Sequence, residues 1–379
     1  MLRYLSRPFA AWLVPAALFG CSPSAPPPEE TTPADPTDTE PTDTDPTDTD
    51  PTRPDSATGA DCASATLASG VFTMMDQGVS RTYRVHVPAG YDPEVPAPLV
   101  VLFHGWGGDE DEFLGSQAVT GLADARGYVL VAPRGLGSGA PDRSYNSWSF
   151  AGSTTGLAPD GSEVCDSAIT PDYRYPSCMD AVNPVAQSAC SWTQCQADDV
   201  AFTRALIAQV QADGCIDPAR VFAVGGSNGG MFTWELGQQT VGEPLFRAIA
   251  PLIGLPHRGY LSANGELPAL LLTGTEDPVV PPGAWEDPSP TTSTSGKDRY
   301  DYTGATGITR SWAEAHGCDV SVDAAPFEDA DPDTDCRSYC GVGAGGAPPV
   351  VDCRVDMGHT YGLSWTWPLI LDFFDAWSD

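Results

Sequence analysis

From about residue 70 onward, short apolar runs recur along the chain, separated by glycine, proline and acidic turns. Arg81–Val87 alternates, with Tyr83, Val85 and Val87 sharing one face, as a half-covered strand does. Pro98–Phe103 (PLVVLF) is continuously apolar over a strand's length, the signature of a strand buried on both sides. Helical spacing near Ser116–Arg126 stops at Gly127, and Tyr128–Ala132 (YVLVA) is the next apolar run. Asp199 is expected to cap a helix that carries Phe202, Leu206, Ile207 and Val210 and ends by Gly214. Val221–Val224, Ala248–Ile253, Ala269–Leu272 and Val350–Val355 supply further strands. Strands alternating with helices in this way predict an α/β fold with a mostly parallel, doubly wound sheet.

This patterning is missing at the N-terminus. Residues 22–60 hold ten Pro, ten Thr and ten Asp or Glu, with no Val, Leu, Ile or aromatic residue. Such a stretch has too little apolar surface to offset ordering entropy, so it reads as an extended, solvated tether. Ahead of it, Arg3 and Arg7 precede the apolar stretch Phe9–Phe19, which is broken by Pro15 and too short to span a bilayer. The stretch ends in Leu18-Phe19-Gly20-Cys21 and resembles a bacterial lipoprotein signal, with Cys21 as the lipidation site. Three segments follow: a signal over 1–20, a tether over 21–60 and a folded domain over 61–379. The chain is expected at the cell envelope, anchored to a membrane through Cys21, or secreted.

Charge and cysteines narrow the reading. Against 51 acidic residues stand 18 basic ones, a net charge of −33. A surface this acidic repels phosphate backbones, so no nucleic-acid partner is expected. Of eleven Cys, setting Cys21 aside leaves Cys62, Cys165, Cys178, Cys190, Cys195, Cys215, Cys318, Cys336, Cys340 and Cys353. An even set in an exported chain reads as up to five disulfides. The close pairs Cys190–Cys195 and Cys336–Cys340 lack the accompanying His pair of a zinc site, so no metal is expected.

The chemistry gathers where strands end. Val221–Val224 runs into GGSNGG at 225–230, followed by a helical stretch from Met231. This is a G-x-S-x-G elbow in strand–turn–helix context, which lifts Ser227 above the sheet as a nucleophile. A hydroxyl nucleophile needs a base, and the base an orienting acid. Of the three histidines after Ser227, His257 follows Pro256, His316 sits at a helix end, and His359 follows the Val350–Val355 strand. His359 therefore fits the base best. Asp277, in the turn after Ala269–Leu272, fits the acid, with Glu276 its near rival. The oxyanion donors are expected to be the backbone N–H groups of Asn228 and Trp106, with His104 buttressing the loop that carries Trp106.

FHGWGG at 103–108, DDVAF at 198–202, CIDPARVFAVGGSNGGM at 215–231, TGTEDPVVP at 273–281, WAEAHGC at 312–318 and GHT at 358–360 complete the pattern. Together they resemble the secreted α/β-hydrolase esterase family that contains feruloyl esterases, acetylxylan esterases and poly(3-hydroxybutyrate) depolymerases. The resemblance covers residues 70–379. It implies a serine esterase with the triad Ser227, Asp277 and His359 and no cofactor. Its substrate would be an ester, either polymer-borne or the polyester itself, and the enzyme a monomer. It also implies a substrate-side role for Trp148 in Ser147-Trp148-Ser149-Phe150, ahead of a cysteine-rich loop with Tyr173, Tyr175 and Trp192. The chain differs from the family at Met357, in HTYG after the base, and in the long loop 151–195. Gly283–Thr303 forms a second unassigned loop. A serine peptidase with the same triad, a cutinase-like polyester hydrolase and an inactive binding module are the competing readings.

Overall fold

The computed structural model describes Cys62 and residues 66–137, 145–169, 188–191, 197–296, 299–327, 334–343 and 346–378. The signal, Cys21 and the tether lie outside these residues, as do Tyr173, Tyr175, Cys178, Trp192 and Cys195.

The first elements are β1 (Gly70–Asp76) and β2 (Val79–His86), joined by Gln77 and Gly78, both at positive φ. Two left-handed residues between antiparallel strands make a tight hairpin whose twist suits the sheet. Next come β3 (Ala97–Phe103), α1 (Asp111–Leu114), α2 (Gln117–Arg126), β4 (Val129–Pro133) and α3 (Asp199–Asp213). Then follow β5 (Ile216–Gly226), α4 (Asn228–Gln239), β6 (Ala248–Leu252) and β7 (Ala269–Gly274). A small ladder of β8 (Thr291–Thr292) and β9 (Asp301–Tyr302) precedes α5 (Ala305–Ala315). The chain closes with β10 (Ala325–Phe327), β11 (Thr334–Ser338), β12 (Val350–Val355) and α6 (Leu363–Ala376).

Among the described residues, ten strands form one sheet in the order β1-β2-β4-β3-β5-β6-β7-β12-β11-β10. From β4 to β12 every neighbouring pair is parallel, and the outer strands on both sides pair antiparallel. All seven residues of β3 are buried. Leu99, Val101 and Phe103 pack with Phe202 of α3, Phe232 of α4 and Trp312 of α5. Val100 and Leu102 pack with Phe113 of α1, Val119 of α2 and Trp367 of α6. The two-residue period of the strand thus feeds two helical layers, which is why its sequence shows no polar face. This is the α/β architecture with a mostly parallel, doubly wound sheet that the alternation predicts.

The start of α3 differs from expectation. Asp198, not Asp199, is the cap, its Oδ1 accepting the Ala201 N–H at 2.8 Å. Asp199 is the first helical residue and turns inward to a buried ion pair with Arg81 at 2.8 Å. Four disulfides join described cysteines: Cys62–Cys215, Cys165–Cys190, Cys318–Cys340 and Cys336–Cys353. The last bridges directly paired residues of β11 and β12. Cys190, Cys336 and Cys340, considered above as zinc ligands, are therefore disulfide sulfurs. Among the described residues no helix is long and apolar enough to cross a membrane.

Candidate active site

β5 ends at Gly226 and α4 begins at Asn228, so a single residue, Ser227, makes the reversal. It does so at φ 51° and ψ −114°, a conformation that L side chains rarely adopt. The turn survives because its flanks are bare. A Cβ on Gly225 would fall 2.2 Å from the Gly229 carbonyl oxygen, and one on Gly229 would fall 2.0 Å from that of Phe103. The Ser227 N–H also donates to the Leu252 carbonyl at 2.8 Å, tying the elbow to β6. The positive end of the α4 dipole is thereby directed at the space beside the Ser227 hydroxyl.

His359 Nε2 lies 2.9 Å from Ser227 Oγ, and its Nδ1 lies 2.7 Å from Asp277 Oδ2. The other carboxylate oxygen of Asp277 accepts the N–H groups of Val279 at 2.7 Å and Val280 at 3.0 Å. That turn holds the carboxylate so that Nδ1 of the imidazole carries the proton and Nε2 faces the serine. Asp277 and Ser227 are buried, and the His359 side chain keeps a quarter of its surface exposed. The row is thus fixed at its acid end and reachable at its base. Glu276 is exposed, and its backbone N–H binds the Met357 carbonyl.

The two other histidines past Ser227 are occupied elsewhere. His257 is fully buried between Phe150 and Tyr302, and burial pushes its pKa down to about 4. His316 closes α5 with Nε2 3.2 Å from the Leu267 carbonyl oxygen, and burial lowers its pKa as well.

The loop after β3 is braced from several sides. Gly135 donates its N–H to His104 Nε2 at 2.8 Å, so the ring proton sits on Nδ1 and goes to the Gly105 carbonyl at 2.6 Å. Burial lowers the His104 pKa and keeps the ring neutral in this role. The Gly105 carbonyl also accepts the Gly108 N–H at 3.1 Å. In a trans peptide the C=O and the following N–H point oppositely, so the Trp106 N–H is turned away from the His104 ring. Gly107 N–H and Gly108 carbonyl are both bonded to Asn146.

Trp148 corrects an expectation. It presents no surface to a substrate, being fully buried. Its backbone N–H donates to Asn228 Oδ1 and its indole N–H to the His104 carbonyl, each at 2.9 Å. Its ring stacks on Phe232 and meets the edge of Phe103. It therefore braces the loop after β3 against the start of α4. The serines on either side gave no sign that the ring points inward. Of the 283–303 loop, Trp285 is pinned between Arg337 and Arg354, whose guanidinium carbons stand 4.2 and 3.7 Å from its ring centre. Among the described residues no group of three or more His, Cys, Asp or Glu could hold a metal ion.

No protein-family model matches the chain. NocK of Nocardia uniformis subsp. tsuyamanensis, which carries the name of an esterase, is 26% identical over 298 residues, covering 77% of this chain and 72% of its own. Feruloyl esterase C of Emericella nidulans is 28% identical over 221 residues, or 57% of this chain and 60% of that one. The chain therefore spans about three fifths of the feruloyl esterase's length. The acetyl xylan esterase from Aspergillus awamori overlays with a TM-score of 0.48 at 13% identity, covering 81% of this chain and 99% of that chain. By its named relatives and its own sheet, the chain resembles the α/β-hydrolase esterases that include the feruloyl esterases.

Proposed function

We propose that the chain hydrolyses carboxylic esters by acyl transfer through Ser227. The row Ser227–His359–Asp277, with spacings of 2.9 and 2.7 Å at three strand ends, is the observation that carries this reading. His359 Nε2 takes the Ser227 proton as Oγ attacks the ester carbonyl, and Asp277 steadies the imidazolium that forms. The backbone N–H groups of Asn228 and Trp106 receive the oxyanion. His359 then protonates the departing alcohol, and the same residue activates the water that releases the acid. The relatives' names and the sequence motifs favour plant-polysaccharide esters, feruloyl or acetyl, with poly(3-hydroxybutyrate) as the polyester alternative. Initial rates on methyl ferulate, acetylated xylan and poly(3-hydroxybutyrate) decide among them. Rates on all three that survive Ser227→Ala would refute the mechanism itself.

The same reading places the enzyme outside the cytoplasm, since its disulfides need an oxidising compartment. Cys21 would carry a lipid and residues 22–60 would hold the domain off the membrane. The native protein should sediment with membranes and Cys21→Ser should free it or leave it unprocessed. Wild-type protein found soluble and correctly cleaved would remove the anchor from the proposal.

A further inference from the structure

Three loops must keep fixed positions for acyl transfer: the one carrying Trp106, the elbow at Ser227 and the one carrying His359. The sheet pairs β3 with β5 up to Phe103 and Gly225, but β12 lies three strands from β5, so the sheet alone does not fix the His359 loop to the other two. Two side chains do. Tyr361, two residues past His359, donates its phenol O–H to Glu112 Oε1 at 2.6 Å. The same oxygen accepts the Gly105 N–H at 2.7 Å. The Tyr361 ring is stacked on Phe113 at 5.3 Å with planes 7° apart, so it cannot swing without leaving α1.

The phenol also touches the elbow. A Cβ on Gly226 would fall 2.2 Å from Tyr361 Cζ, and one on Gly105 would fall 2.4 Å from its Oη. Glycine at both places lets the ring lie flat against the backbone next to Ser227 and next to Trp106. A Cβ on Gly108 would fall 1.8 Å from the other Glu112 oxygen, so the carboxylate covers both ends of the Trp106 loop. Desolvation, together with the neighbouring Glu112 carboxylate, pushes the Tyr361 phenol well above its ordinary pKa, so it remains the donor.

We propose that Glu112 and Tyr361 are positioning residues that lock the oxyanion loop to the nucleophile elbow and to the loop of the catalytic histidine. This rests on the acyl-transfer reading of Ser227, His359 and the Trp106 N–H. By holding the Gly105 N–H, Glu112 fixes the plane of the His104–Gly105 peptide, while the carbonyl of the following peptide, Gly105's own, is held by His104 and Gly108. The next peptide N–H then has one direction left. Loss of the lock would let that donor drift from the developing oxyanion with little effect on how the neutral ester first binds.

The test is a double-mutant cycle on a soluble aryl ester with Tyr361→Phe, Glu112→Ala and the pair, alongside Glu112→Gln and Ser227→Ala. Tyr361→Phe keeps the ring and its stack and removes one hydrogen bond. Misplacement of a catalytic group by about 1 Å can cost about 10²-fold, so kcat should fall between about tenfold and about a hundredfold with KM within about twofold. The inhibition constant of phenylboronic acid, whose serine adduct is tetrahedral and anionic, should rise by the same factor as kcat falls. Glu112→Gln retains the oxygen that accepts both bonds and should recover most of what Glu112→Ala loses. In the double variant the second change should add little, because the lock is already open.

Losses that multiply independently, or that fall on KM while boronate affinity holds, would overturn the lock. So would Tyr361→Phe at wild-type kcat, which also decides the matter if Glu112→Ala does not fold. Residual activity in Ser227→Ala would instead strike the acyl-transfer reading, so the two failures are separable.

Discussion

Ser227 carries a positive φ that its neighbours impose, and its hydroxyl lies 2.9 Å from Nε2 of His359. Removing either atom should therefore stop acylation while leaving the packing alone. Ser227→Ala and His359→Ala are each expected to lower kcat by at least ~10³-fold with little change in thermal midpoint. Asp277→Asn should also be severe, because an amide cannot hold the same imidazole tautomer and charge. Glu276→Gln should be mild, its side chain being exposed. Steady-state kinetics on an aryl ester check all four, and the reverse ranking of the two acids would reassign the acid. These residues were legible because each follows an apolar run of strand length. Trp148 was not, since whether an aromatic between serines faces in or out depends on Asn228 and His104, distant in the chain. Glu112 and Tyr361 were missed for the same reason, being 249 positions apart.

At the level of elements, the strands that meet helices on both faces were readable and the ones at the rim were not. The GVFTMMD of β1 leaves most of its side chains exposed, so no face of it is marked. In α6 the apolar residues run nearly all round and Pro368 interrupts the helical pattern, yet Trp367, Ile370, Leu371, Phe373 and Phe374 are buried under the sheet. For α3 the sequence offered two adjacent acids and one cap, and only tertiary contacts separate them. Asp199 binds Arg81 and accepts the Ser149 N–H at 2.8 Å, while the Arg81 guanidinium lies over the Phe202 ring. Asp199→Asn leaves that guanidinium buried without its counter-charge, a loss of about 3–5 kcal/mol for a buried pair. Asp198→Ala forfeits only a cap, about 1 kcal/mol. Denaturant unfolding of the two variants should rank them in that order. Equal losses would mean that the Arg81–Asp199 pair contributes no more than the cap.

Taken whole, the molecule holds buried charge in pairs such as Arg81–Asp199 and Arg354–Asp352, and His257 is a buried group on which acid would place a new charge. It is fully buried beneath Phe150 and against Tyr302, and burial brings its pKa down to about 4 despite a favourable contact with the Asp301 backbone. In the unfolded chain a histidine titrates near 6.5. Between those values the unfolded state binds the proton and the folded state does not. The histidine's neutral-state packing therefore contributes fully above about pH 6.5, and that contribution is lost as pH falls toward 4. The gap corresponds to at most about 3 kcal/mol. Asp352 and Glu235 work in the opposite direction: burial raises both carboxyls, so they hold protons more firmly when folded and favour the folded state as pH drops. Comparison with His257→Phe isolates the histidine, because the carboxylates and the acidic surface are common to both proteins and cancel in the difference. Unfolding free energies measured from pH 7 to pH 4 should fall more steeply for the wild type than for His257→Phe, whatever the variant costs in absolute stability. Parallel curves would mean that a proton reaches the His257 ring in the folded enzyme.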